Sequence, residues 1–170
     1  AVITGVGSVC AFGSGIAVLW QGLAEGRAAV GPIRQFSTTH LAVQFAGEVS
    51  AQAIDAQWIL ARLPAALRAD VEPRLRAHQA SGALRDRKVG FALVAAAEAW
   101  TMAGLGAADR DAPVILAHGL ERGYPEDFAP LLRDARVQWA LESADAGAVR
   151  MRTPVDAAGR AVRQLLRLRG

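Results

Sequence analysis

A chain of 170 residues, 52% apolar and 21% charged, has the length and the apolar content to bury one core, which excludes general disorder. Its net charge of +3, with a pI near 10.0, is compatible with an acidic partner but too mild to demand nucleic acid or a membrane surface. One cysteine, Cys10, excludes an intrachain disulfide and makes a reducing cytoplasm the expected compartment.

In chain order, residues 1–6 predict a buried strand that enters the glycine turn Gly5-Val6-Gly7. Residues 14–25 predict a helix with Ile16, Leu19, Trp20 and Leu23 on one face, Ser14 as its N-cap and Gly26 as its stop. VGPIRQF carries turn signals and then a short extended piece. Residues 42–49 predict a strand with Val43, Phe45 and Val49 on one face. Residues 52–81 predict helix broken at Pro64 and Pro73.

Residues 86–103 give the strongest helix signal. Ala92, Ala95, Ala96 and Ala99 would let this helix approach a neighbour closely, and Gly104 and Gly106 end it. The apolar stretch 89–108 has the length of a membrane span, but Glu98 near its middle and its many Ala and Gly residues favour a buried helix instead. Residues 113–117, PVILA, predict a second buried strand, and Pro125 opens a short helix to about Arg133. Residues 154–169 predict a last helix with Val155, Ala158, Val162, Leu165 and Leu166 inward. The order of elements predicts an α/β fold with at least one crossover.

The glycine loop fails as a dinucleotide fingerprint, because Cys10 stands where G-x-G-x-x-G needs its last glycine. No phosphate-binding G-x-x-x-x-G-K-[ST] run occurs. Cys10 follows a strand with no basic residue near it in sequence, so it reads as a small core residue and not as a nucleophile. His40, His78 and His118 have no metal-site spacing. His118 follows a predicted strand, where α/β sites gather, and is either structural or a pocket-lining residue. Residues 150–169 carry six arginines against Asp156, with Arg160, Arg163 and Arg167 on one helix face. That face is either simply solvated or a dock for an acidic macromolecule. No aromatic residue interleaves with the arginines to stack on bases, which argues against nucleic acid.

The run VITGVGSVCAFGSGIAVLWQGLAEGRAAVGPIRQF resembles the N-terminus of a β-ketoacyl synthase. That family opens with a strand into an ITG-x-G turn and continues with an LW-x-x-L-x-x-G-[RK] pattern. Ile3, Thr4, Gly5, Gly7, Gly13, Leu19, Trp20, Leu23, Gly26, Arg27, Val30, Ile33 and Phe36 carry the likeness. AGEV fits the next strand of the family. RDRKVGFALVAAAEAW fits its D-R-x-x-x-x-A-x-x-A-x-x-E-A helix, PVILAHGL the strand that follows, and AAGRAVRQLLRLRG the helix ending in G-L-[RK]-G. TPVDAAG, and residues 54–85 as a whole, depart from the pattern.

The resemblance implies a thiolase-like layered α/β/α fold, of which residues 1–170 would be the N-terminal half, with a mixed sheet and a buried central helix. It implies decarboxylative condensation of an acyl thioester with a malonyl unit on acyl carrier protein, in fatty acid or polyketide assembly. In the family the nucleophilic cysteine comes shortly after G-L-[RK]-G and two histidines come later, so the C-terminal catalytic half is expected to be absent from this chain and no catalytic residue lies within it. Leu120, with His118, is expected to line the acyl pocket. Arg160, Arg163 and Arg167 are expected to meet the acidic carrier protein. No cofactor, metal, nucleic acid or membrane is implied. A homodimer or a ketosynthase heterodimer is implied, and the alternative to an enzyme is a non-catalytic partner subunit of the chain-length-factor type.

Overall fold

The computed structural model describes residues 2–35, 37–39, 41–50, 55–81, 86–111 and 157–169. Among them are five α-helices, a 3₁₀ turn at Ala108–Asp111 and two antiparallel ladders. β1 (Val9–Cys10) pairs with β2 (Gly13–Ser14), and β3 (Gly31–Pro32) pairs with β4 (Phe45–Ala46). The helices are α1 (Ile16–Ala24), α2 (Ala56–Arg62), α3 (Ala65–Ala80), α4 (Arg87–Met102) and α5 (Ala157–Leu166). The expected strand 113–117 and helix 125–133 lie outside the described residues.

The core gathers around α4, which packs against α2 and α5, while α3 packs against the same two helices. Val89, Leu93, Val94 and Ala97 of α4 are buried against Ile59 and Leu63, against Leu67, Val71 and Leu75 of α3, and against Val162 and Leu165 of α5. The helix starts where the sequence places it. The Asp86 carboxylate accepts the Lys88 N–H at 3.1 Å, an N-cap that satisfies one otherwise orphaned donor. It ends at Gly104, whose N–H donates to Thr101 O at 3.0 Å. The buried central helix is therefore as expected. Among the described residues, no helix is long and apolar enough to cross a membrane.

The first expected strand is not one. Among the described residues, residues 2–8 join no ladder, and Val2 and Ile3 are each 86% exposed. The close contact of this segment is with the backbone of α4. A Cβ built on Gly5 would lie 2.1 Å from Ala99 O, and one on Gly7 would lie 2.0 Å from Ala95 O. The two glycines let the chain lie directly on α4, beside the small residues Ala95 and Ala99. The glycine turn is thus a contact surface for a helix.

α1 begins at Ile16 with Gly15 as its N-cap, one residue past the expected Ser14. Ser14 is buried, and its hydroxyl accepts from Arg62. Gly26, at φ 63, ends α1 as expected, with the Arg27 N–H on Gly22 O. The expected inner face of α1 is only partly inward. Trp20 is 72% and Leu23 60% exposed, and it is Gly22 that is buried, against the Phe12 ring. β4 is two residues long within the expected strand 42–49, and Val43 and Phe45 are exposed.

Pro64 separates α2 from α3, as expected, but Pro73 does not break α3. An interior proline costs about 3 kcal/mol. Leu67, Val71 and Leu75 straddle it on one fully buried face, and at about 1.5–3 kcal/mol each their burial outweighs that cost.

Candidate functional site

Helix α5 takes its inner face from Ala158, Ala161, Val162, Leu165 and Leu166, all buried. Its opposite side carries Arg160 and Arg163, and Arg167 follows directly after its last residue; all three are exposed. Arg160 and Arg163 are thus exposed on α5 itself, whereas Arg167 lies beyond its end, with a left-handed backbone, 3.6 Å from Asp70 of α3. Val155, the remaining residue of the expected inner face, lies outside the described residues.

The C-terminal end of this helix is held by charge. Arg74 of α3 donates from Nε (3.1 Å) and Nη2 (2.9 Å) to Leu165 O, a carbonyl the helix itself leaves unpaired. The same guanidinium grips Asp70 through two nitrogens, at 3.0 and 2.9 Å. Arg110, from the 3₁₀ turn, donates to Asp70 Oδ2, and Arg167 Nη1 stands 3.6 Å from Asp70 Oδ1. Beside this cluster Arg169 pairs with Asp111 at 3.1 Å. The hydrogen bonds from Arg74 and then Arg110 hold the Asp70 carboxyl well below the usual carboxylate range, against a smaller opposing effect of burial. Asp70, Arg74 and Arg110 were missed in the sequence. The i,i+4 spacing of Asp70 and Arg74 was a readable signal, but nothing in the sequence brings Arg110 and Arg167 to the same carboxylate.

A second cluster fixes the loop ahead of α1. Glu98, midway along α4, accepts the Ser8 N–H on Oε2 at 3.0 Å and the Ile16 N–H on Oε1 at 2.7 Å. α1 has no acidic residue in its first turn and no cap from its own Gly15. Glu98 therefore supplies, from another helix, the negative charge that a helix N-terminus favours. Arg62 reaches the same loop from α2, donating to Ser14 O at 3.0 Å and Ser14 Oγ at 2.9 Å, with its guanidinium 4.3 Å over the Trp58 ring. Both groups are spent on backbone and hydroxyl partners and serve as struts.

An open cleft of about 350 Å³ lies between the β3–β4 ladder and the start of α4, walled by Ile33, Val49 and Phe91. Its two charged residues face their own chain. Glu48 accepts the Arg34 and Gln35 N–H groups, and Arg87 donates to Val49 O while lying over Phe91.

His118 and Leu120 lie outside the described residues. Cys10 is half-buried and paired with Gly13 across the β1–β2 ladder, a structural placement. No group of three or more metal-ligating side chains occurs among the described residues.

Comparison with known proteins gives this arrangement a family. The family model of the β-ketoacyl synthase N-terminal domain matches residues 1–162. Over 48 residues the chain is 44% identical to a 3-oxoacyl-[acyl-carrier-protein] synthase 2 of Synechocystis sp.. That stretch is 28% of this chain and only 12% of the relative's length. No solved structure matches. A family model that spans the chain from its first residue to the middle of α5 leaves one assignment: the chain belongs to the β-ketoacyl synthase family, through that family's N-terminal domain.

Proposed function

We propose that residues 1–170 are the N-terminal half of a β-ketoacyl-[acyl-carrier-protein] synthase of fatty acid or polyketide assembly. The observation that carries this reading is the family match over residues 1–162; the name of the Synechocystis relative supports it. In the reaction, an acyl group passes from a carrier-protein thioester to an enzyme cysteine, releasing the carrier thiol. A malonyl unit on a second carrier protein loses CO2, and its carbanion attacks the acyl carbonyl. A carbon–carbon bond forms, and the cysteine leaves as thiolate. In this reading the cysteine and the two histidines that assist lie beyond these 170 residues.

This half then contributes scaffold and recognition. Glu98 and the glycine contacts fix α1 on α4. Arg160, Arg163 and Arg167 offer positive charge to an acidic carrier protein, and Leu120 with His118 borders the acyl chain. The protein works in the cytoplasm as a homodimer or as half of a ketosynthase heterodimer.

The test is an intact-mass spectrum of the natural protein, with and without a thiol-directed condensing-enzyme inhibitor. The expected result is a mass well above 17.9 kDa and one adduct that maps outside residues 1–170. A larger mass without an adduct would give the protein the role of a non-catalytic, chain-length-factor-like partner. A mass of 17.9 kDa would withdraw condensation from this chain.

A further inference from the structure

We draw no further inference here: the strongest candidate, the exposed apolar patch that Trp20 and Leu23 form on α1, carries nothing, because nothing among the described residues shows what covers it.

Discussion

The Cβ that alanine would bring to position 7 lies 2.0 Å from Ala95 O, a backbone atom of a buried helix that cannot step aside. At position 26 nothing lies within 4 Å, and only the backbone, at φ 63, resists a side chain. The two glycines look alike in the sequence, yet their substitutions differ in kind. Gly7→Ala forces α4 and residues 5–8 apart and costs about 3 kcal/mol or more, as overpacking of a tight contact does. Gly26→Ala costs about 1 kcal/mol, the penalty of a left-handed residue that carries a Cβ. Urea unfolding midpoints of the two variants check this, and equal losses would contradict the close approach of residues 5–8 to α4. Sequence spacing identified the turn and excluded a dinucleotide fingerprint. It could not reveal that the turn's surface is α4, because that contact joins positions about ninety residues apart.

The elements most legible in the sequence were those whose pattern and burial agree. α4 has a clear cap, a clear stop and a continuous apolar face, and it runs within one residue of its expected bounds. α5 buries the side its periodicity names. The misreadings have different causes, and at Pro73 tertiary packing outweighed a local rule. Pro73 sits inside α3 because the buried leucines and valine on either side hold the helix together. Trp20 and Leu23 have helical spacing, but the described residues place nothing over them. The join between α3 and α5 has its own pH signature. Because Arg74 and Arg110 depress the Asp70 pKa in the folded protein, the unfolded chain takes up that proton first as pH falls. The stabilising contribution of Asp70 is thus complete above the ordinary carboxylate range. It declines once pH drops through about 3.9, the unfolded value, and vanishes only below the depressed folded value. Urea titrations of wild type and Asp70→Asn should therefore show a gap that is constant from neutral pH to about pH 5. The gap narrows steadily in stronger acid. A gap that closes already between pH 7 and pH 5 would contradict the assignment of Asp70 as an ion-paired carboxylate.

At the scale of the molecule, what the sequence could and could not say follows contact distance. The family was legible because its signature lies in a short continuous run, from Ile3 to Phe36, that needs no folding to be seen. The charge cluster was not, since Asp70, Arg110 and Arg167 meet only when α3, the 3₁₀ turn and α5 are assembled. Among the described residues at the end of α5, Asp70 is shared by three arginines and Asp111 pairs with a fourth. In the proposed docking, the α5 arginines act on an approaching protein within a Debye length, about 8 Å at physiological salt. Reversal of all three charges, in Arg160→Glu/Arg163→Glu/Arg167→Glu, should lower affinity for acyl carrier protein by at least about tenfold and flatten its dependence on salt. Most of the loss should appear in the association rate, because exposed charges act chiefly by steering encounter. Stopped-flow binding at two ionic strengths, with helix content checked by circular dichroism, measures both quantities. An unchanged association rate with an unchanged salt dependence would place carrier-protein recognition on some other surface. It would also leave the cluster at Asp70 as a purely structural joint between α3 and α5.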